Sequence, residues 1–277
     1  MKTTDSVISM AKPSQAFKKA RFRSKVFRRP LVLYRHRGLC PQDCFLAAYP
    51  RSGTTWLRFL FFEALARESA EFGSIRRAVP SVGKQHNALA VLSDGGRLIQ
   101  THERFSDTDR RVIYVVRDAR DVVASEYSWL RRSGIETGSF DDFLIDFVKG
   151  TSNPWGAWGD HVEFWLNSSS ARSGHLHLVK FEDLRSDTEG VFTRALDFLD
   201  APSGRELVGM AIENNSLRRM RAKEDSARER GWRERARADI RFINTGSVAG
   251  WQDKLKPYQA RLIEDRFGDA LRKLGYL

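Results

Sequence analysis

Four short apolar runs, separated by helical patterns, constrain the fold of this chain more than any other feature. The runs cover residues 45–49, 97–101, 111–116 and 176–181, and the third is rich in β-branched residues. Apolar runs of this length are typical of buried strands. Helical periodicity is found at residues 56–66, 121–130, 140–148, 161–166, 191–199, 207–214 and 257–274. The alternation predicts an α/β fold, with a central, mainly parallel sheet flanked by helices.

The positive charge of the chain is concentrated in its first 40 residues. The formal net charge is +12, and residues 1–40 contain eleven Lys or Arg against one acid, Asp5. No internal repeat or low-complexity linker follows, so we expect a basic N-terminal extension over residues 1–40 and one domain over residues 41–277. The extension fits a solvated, partly disordered arm, a contact with an anionic surface or polymer, or an organellar targeting segment. The net charge is therefore weak evidence about the folded part.

Hydropathy and cysteine content indicate a cytoplasmic protein. No apolar stretch reaches the roughly 20 residues of a membrane-spanning helix, and the N-terminus lacks the apolar centre of a secretion signal. Cys40 and Cys44 are predicted to be reduced thiols. Together with His36 they have ligand-like spacing, but a structural zinc site needs four ligands, so no metal site is predicted. Residues 218–241, rich in Arg and Lys, predict a charged helix or a mobile segment.

The first candidate site is the turn PRSGTTW at residues 50–56, where a strand passes into a helix. A helix N-terminus offers unpaired backbone N–H groups and a positive dipole end, so it binds anions readily. Gly53 allows the backbone to approach a ligand, and Thr54 and Thr55 add hydroxyl donors. The Lys-containing pattern of nucleotide triphosphatases is absent. The turn therefore predicts a phosphate site in a P-loop-like architecture, although a small-residue turn without chemical function is the alternative.

The second candidate site is the segment VIYVVRDARDVVAS at residues 112–125. Asp118 and Asp121 resemble the acidic start of a helix, after a strand that ends at Arg117. Ser125 follows about one turn into that helix, within reach of an anion bound by Arg117. The alternative is that Arg117 simply pairs with Asp118 or Asp121. Two anion sites would imply one ligand with two separated phosphates.

Together these two segments resemble the cofactor-binding segments of the cytosolic-type sulfotransferases, which use 3'-phosphoadenosine 5'-phosphosulfate (PAPS). The resemblance extends more weakly over residues 44–277. It implies that Arg117 and Ser125 bind the 3'-phosphate of PAPS and that Trp56 stacks on adenine. It also implies that the 5'-phosphosulfate is held by Arg51, Ser52, Gly53, Thr54 and Thr55.

Further positions can be compared with the same family. The resemblance implies that His102, in LIQTHERF, is the general base, and that Phe181 lies where an adenine-contacting Tyr is usual. Asn215 and Leu217 replace the family's polar and aromatic residues near adenine. The segment INTGSVAGWQ keeps Gly246 and Trp251 of the loop that closes over the 3'-phosphate. Asn244 and Thr245 stand where that loop has Arg and Lys, so donor binding would need positive charge from elsewhere.

The resemblance implies sulfuryl transfer to a hydroxyl or amine of a small-molecule, lipid or glycan acceptor. His102 would accept the acceptor's proton, and Arg51, at the family's lysine position, would stabilise charge on the leaving oxygen. The mechanism requires no metal and no nucleic acid. The segment NPWGAWGDHVEFW predicts either core packing or an aromatic wall of the acceptor pocket. A nucleic-acid-binding protein and an inactive, nucleotide-binding relative remain the alternatives.

Overall fold

The four predicted strands form one parallel sheet in the computed structural model of the chain. They are β1 (Cys44–Ala48), β2 (Leu98–Thr101), β3 (Val112–Val116) and β4 (Leu176–Lys180), in the spatial order β2-β1-β3-β4. Each strand lies within one residue of its expected bounds, so the strand predictions are confirmed. The structure describes residues 25–105, 109–231, 243 and 246–277, and only the backbone of residues 25–29.

Helices flank the sheet and confirm the α/β fold class. In chain order they are α1 (Lys25–Arg35), α2 (Thr54–Ala66), α3 (Ala119–Arg132), α4 (Phe140–Lys149), α5 (Trp158–Leu166), α6 (Ser169–Arg172), α7 (Phe181–Ser186), α8 (Thr188–Phe198), α9 (Arg205–Asn214), α10 (Leu217–Glu229) and α11 (Pro257–Lys273). Every helix expected from periodicity forms. The charged segment 218–241 begins as the helix α10, and most of its remainder lies outside the described residues.

Alternate residues of β1 pack into two different hydrophobic clusters, because successive side chains of a strand point to opposite faces. Leu46 and Ala48 belong to a cluster with residues of α2, α8 and α9. Phe45 and Ala47 belong to a second cluster, with residues of α3, α4, α5 and α11. All five residues of β1 are buried, as expected for a parallel strand covered on both sides.

The carboxyl ends of β1, β2 and β3 lie side by side. Ala47 of β1 is in register with Thr101 of β2 and with Tyr114 of β3. The residues that follow these strands therefore emerge at one edge of the sheet, where open α/β sheets bind their ligands. This register brings together the two predicted anion-binding segments and His102, which are far apart in the sequence.

The end of the basic extension contacts the body of the protein. The Gln85 side chain donates hydrogen bonds to the carbonyl oxygens of Arg35 and Arg37 at 2.8 and 2.9 Å. Arg35 also forms a 3.2 Å ion pair with Glu103, the residue after His102. This part of the extension is therefore held close to the carboxyl edge of the sheet; residues 1–24 lie outside the described part of the chain. No helix within the described residues is long and apolar enough to cross a membrane.

Candidate functional site

The turn between β1 and α2 is built to present polar groups without internal partners. Arg51 and Gly53 have positive φ angles of 69° and 92°, and α2 begins directly afterwards at Thr54. Ser52 and Thr54 are 0% and 7% exposed. Within the described chain, neither of their hydroxyl oxygens has a hydrogen-bond partner. Buried hydroxyls are normally satisfied, so this pair fits an anionic ligand at the start of α2.

Gly53 is needed because the turn touches Phe181. A Cβ atom at Gly53 would lie 2.4 Å from Cδ2 of the Phe181 ring, so the ring or the turn would have to move. Phe181, the predicted last residue of the strand, instead begins α7, because β4 ends one residue earlier at Lys180. Phe181 is 4% exposed. The absence of a side chain at Gly53 thus lets β4 and α7 close against the turn.

Arg117 directly follows β3, and its side chain contacts Phe181, Asp121 and Ser247. Its guanidinium carbon is 4.5 Å from the centroid of the Phe181 ring, and Nη2 is 3.4 Å from Oδ2 of Asp121. Nη2 also donates to the carbonyl oxygen of Ser247 at 2.8 Å. The pairing of Arg117 with Asp121, expected as an alternative to anion binding, is therefore present. Nε of Arg117 nevertheless has no hydrogen-bond partner among the described residues, so this arginine keeps a donor for a ligand.

The two candidate sites meet at Arg51 and Ser125. Nε of Arg51 donates to Oγ of Ser125 at 3.3 Å, across the boundary between the first turn and α3. The Arg51 guanidinium also lies 5.7 Å from the ring of Trp129, one turn further along α3. The predicted turn and α3 are therefore in direct contact in the structure.

His102 is fixed in one tautomer. Its Nδ1 lies 2.6 Å from the carbonyl oxygen of Ala48, which only accepts, so Nδ1 carries the proton and Nε2 is the basic nitrogen. Burial, with the positive charges of Arg58 and Arg51, lowers the pKa of His102 to about 4, against the raising effect of the contact with the Ala48 carbonyl. The ring is therefore neutral at physiological pH and can accept a proton at Nε2.

A second histidine supports the segment that carries His102. Nε2 of His161 lies 3.2 Å from the carbonyl oxygen of His102, and its Nδ1 lies 2.9 Å from the Tyr114 hydroxyl. His161 is 0% exposed, so these hydrogen bonds are sheltered from water. His161 therefore helps to hold the backbone after β2 in position.

One cavity of about 730 Å³ joins these groups. Of the predicted site residues, only the buried Ser52 does not line this cavity. The others do: Arg51, Gly53, Thr54, Thr55, Trp56, His102, Arg117, Ser125, Phe181 and Gly246. The tryptophans of NPWGAWGDHVEFW divide between the two expectations. Trp155 lines the cavity, 5.3 Å from the His102 ring, whereas Trp158 and Trp165 belong to the core.

Near Trp56 the cavity contains contacts that the sequence does not reveal. The Trp56 indole donates to the backbone carbonyl of Asn215 at 2.9 Å, and the Arg185 guanidinium lies 5.3 Å from its ring. Arg185 and Lys254 both line the cavity, and sequence reasoning did not identify either of them. They bring positive charge to the cavity. Asn244 and Thr245, whose identity raised the question of missing charge, lie outside the described residues.

Sequence reasoning also missed Glu126, which follows Ser125 on α3. Its side chain lines the cavity although the residue is only 4% exposed. Burial raises the pKa of Glu126 to about 7, against the lowering effects of an Asn153 hydrogen bond and the charge of Arg51. A lone Glu on a helix carries no pattern in the sequence, so no signal there could have identified it. Among the described residues, no group of three or more His, Cys, Asp or Glu could hold a metal ion.

The chain is similar in sequence to one family of enzymes. A family model described as "Sulfotransferase domain" matches residues 41–275. Sulfotransferase 1E1 of Mus musculus is 27% identical over 65% of this chain and 66% of its own length. Sulfotransferase 2B1 of Homo sapiens is 28% identical over 65% of this chain and 52% of its own length. Sulfotransferase 1 family member D1 of Rattus norvegicus is 25% identical over 82% of both chains. The chain thus spans half to two thirds of the length of the first two relatives.

Solved structures show the same fold. Retinol dehydratase, crystallised with androsterone and the inactive cofactor PAP, has a TM-score of 0.69 at 20% identity, over 88% of this chain and 85% of its own. The mouse sulfotransferase SULT7A1 complexed with PAP has a TM-score of 0.62 at 20% identity, over 84% of both chains. At this level of identity the likeness establishes the fold alone.

Proposed function

Because the chain belongs to the sulfotransferase domain family, we propose that it transfers a sulfuryl group from PAPS to a hydroxyl or amine of an acceptor molecule. The observation that carries this proposal is the single cavity that joins two anion-binding segments to a neutral histidine. PAP, the desulfated product of PAPS, was present in the two solved relatives described above.

The polar groups without partners fit the two ends of the donor. The hydroxyl of Thr54, with the first backbone N–H groups of α2, would hold the 5'-phosphosulfate. Arg117 and Ser125 would hold the 3'-phosphate, and Trp56 and Phe181 would contact adenine. Arg185 and Lys254 add positive charge to the same cavity. When bound, the donor supplies an electrophilic sulfur and a phosphate leaving group.

His102 would act as the general base. Nε2 of His102 would accept the proton of the acceptor hydroxyl. At the same time the hydroxyl oxygen would bond to sulfur, and the bond between sulfur and the bridging oxygen of the 5'-phosphate would break. The proton then resides on the imidazole, and the electron pair of the broken bond resides on PAP. Arg51 would stabilise this charge electrostatically, since a guanidinium stays protonated throughout the accessible pH range. The protein contributes alignment and charge stabilisation, as in phosphoryl transfer.

Calorimetric titration with PAP tests the donor site. We expect tight binding by the wild type, weaker binding of adenosine 5'-phosphate, and loss of the difference in the variant Arg117→Ala, Ser125→Ala. Equal affinity for both nucleotides would contradict the proposed site. Transfer of labelled sulfate from PAPS to a panel of phenols and alcohols then tests catalysis. Binding of PAP without transfer to any acceptor would instead support an inactive, nucleotide-binding protein.

A further inference from the structure

Glu126 places a carboxyl group in the cavity next to the proposed donor site. It follows Ser125 directly on α3 and lines the same cavity as His102 and Trp155. The positive charge of Arg51 lowers the pKa of both Glu126 and His102. Arg51 therefore lies close enough to influence both side chains, and Glu126 belongs to the surroundings of the reacting groups.

The two oxygens of Glu126 have different environments. Oε1 accepts a 3.0 Å hydrogen bond from Nδ2 of Asn153. Oε2 is buried and has no hydrogen-bond partner within the part of the chain that the structure describes. The nearby Tyr49 hydroxyl cannot serve it, because that hydroxyl donates to the carbonyl oxygen of Gly156 at 3.0 Å. A partner for Oε2 must therefore come from outside this local network.

An unsatisfied carboxylate oxygen in a buried site is costly. A buried polar atom without a partner costs about 1–3 kcal/mol, and more if it is charged. Burial raises the pKa of Glu126 to about 7 for the same reason. A ligand that donates a hydrogen bond to Oε2 and carries positive charge would remove both costs.

The surroundings favour a cation over a neutral or anionic partner. An ionised carboxylate only accepts hydrogen bonds, which an ammonium donates. A neutral hydroxyl would satisfy the hydrogen bond but leave the negative charge beside the phosphates of the donor. An acidic acceptor would add a further like charge. Around Glu126 the cavity is lined by Trp129, Pro154 and Trp155, which suit a flat apolar ring.

We infer that Glu126 binds a protonated amine of the acceptor, so that the preferred acceptors are hydroxyl compounds with an apolar ring and a basic nitrogen. This inference rests on the proposed function, because it assigns the acceptor part of the same cavity. Asn153 would act as a positioning residue, since its hydrogen bond to Oε1 fixes the orientation of the Glu126 carboxylate.

Glu103 provides a matched control for Glu126. It lines the same cavity and is also buried, at 4% exposure. Its carboxylate, however, is paired with Arg35 at 3.2 Å. A carboxylate that already has a cationic partner has less to gain from an ammonium, so Glu103→Gln should not change the preference for amines.

The test uses three phenols that differ in one group: 4-(2-aminoethyl)phenol, 4-propylphenol and 3-(4-hydroxyphenyl)propanoic acid. Each is titrated into the full chain saturated with PAP, so that no turnover occurs. PAP affinity is measured first for the wild type, Glu126→Gln and Glu103→Gln. Failure of the wild type to bind PAP would reject the proposed function itself. If all three proteins bind PAP normally, differences between their affinities for the phenols report on Glu126 alone.

We expect the wild type to bind the amine roughly 10- to 100-fold more tightly than the neutral phenol, with the acid weakest. Glu126→Gln should remove this preference, and Glu103→Gln should keep it. Three results would overturn the inference: equal binding of amine and neutral phenol by the wild type, no binding of any phenol, or an unchanged preference in Glu126→Gln. The wild-type comparison remains decisive even if a variant folds poorly.

Discussion

Nδ1 of His102 lies 2.6 Å from the carbonyl oxygen of Ala48, the last residue of β1. This hydrogen bond joins the last residue of β1 to the residue that follows the neighbouring strand, β2. It also leaves the imidazole with one basic nitrogen, Nε2. Replacement of His102 by Ala should therefore remove the proton acceptor and reduce kcat by roughly 10²- to 10⁴-fold.

The reduction in kcat is measured under saturating PAPS, with PAP affinity as the control. Because His102 is assigned to proton transfer and not to nucleotide binding, PAP should bind His102→Ala as it binds the wild type. A variant that keeps full kcat would exclude His102 as the base.

The pH dependence of the reaction should reflect the lowered pKa of His102, about 4 in the free protein. With a neutral phenol as acceptor, kcat/KM should stay constant from pH 8 to about pH 5 and fall below that, as the imidazole becomes protonated. An ordinary histidine, with a pKa of about 6.5, would already lose activity near pH 7. A fall in kcat/KM centred near pH 6.5 would show that His102 is not desolvated.

The same pKa predicts a contribution to stability. Between pH 6.5 and about 4 the unfolded chain binds a proton at this histidine and the folded protein does not. The free energy of unfolding contributed by His102 is therefore lost as the pH falls through this window. The Gln side chain in His102→Gln does not titrate. The free energy of unfolding of this variant, measured with urea, should therefore fall less than that of the wild type over the same pH range.

Gly53→Ala should disrupt the donor site more than the fold. The new Cβ would collide with the Phe181 ring at 2.4 Å, and a side chain at φ 92° adds strain. Gly95→Ala is a matched control, because Gly95 also has a positive φ, of 81°, with no atom within 4 Å of its Cβ position. Backbone strain alone costs about 1–2 kcal/mol, so both variants should be destabilised, but only Gly53→Ala should weaken PAP binding in calorimetry. Equal PAP affinity in both would refute a close contact between the turn and Phe181.

The ion pair between Asp43 and Arg97 should be important for stability. Nη2 of Arg97 lies 2.5 Å from the Asp43 carboxylate, whose side chain is 0% exposed. Arg97→Ala would leave a buried charge unpaired and should cost about 3–5 kcal/mol in urea unfolding. The exposed pair between Arg77 and Glu68, at 3.0 Å, is the control, and Arg77→Ala should cost at most about 1 kcal/mol. Similar losses in the two variants would contradict the difference in burial.

The order of strands and helices was predictable because each element carries its own periodic signal. The apolar runs that became β1, β2 and β3 are fully buried, and such runs are recognisable without neighbours. In β4 only Val179 is buried, but the run is still apolar enough to be recognised as a strand. Helices α1, α6 and α7 carry weaker signals. Phe181 shows where the prediction of element boundaries fails. Its sequence context predicts the end of a strand, but it begins α7, because a strand and a helix bury an aromatic ring equally well.

The sequence identifies two candidate anion-binding segments because each contains several residue types whose chemistry agrees, and the structure brings them together. The sequence alone could not decide whether Arg117 pairs with Asp121. The pairing depends on a side-chain rotamer and on Ser247, which is 130 residues away in the sequence. Glu126 and Arg35 enter the cavity only through tertiary packing, so their roles depend on neighbours that no local pattern specifies.

The adjacency of β1 and β3 has a thermodynamic consequence. Since the turn after β1 and Arg117 after β3 meet only when Ala47 is in register with Tyr114, the unfolded chain contains no nucleotide site. Any nucleotide that binds here is therefore linked to folding and stabilises the native state by mass action, by about 2.7 kcal/mol at 100 times its Kd. A shift in melting temperature thus becomes a readout of donor identity, and it requires no knowledge of the acceptor.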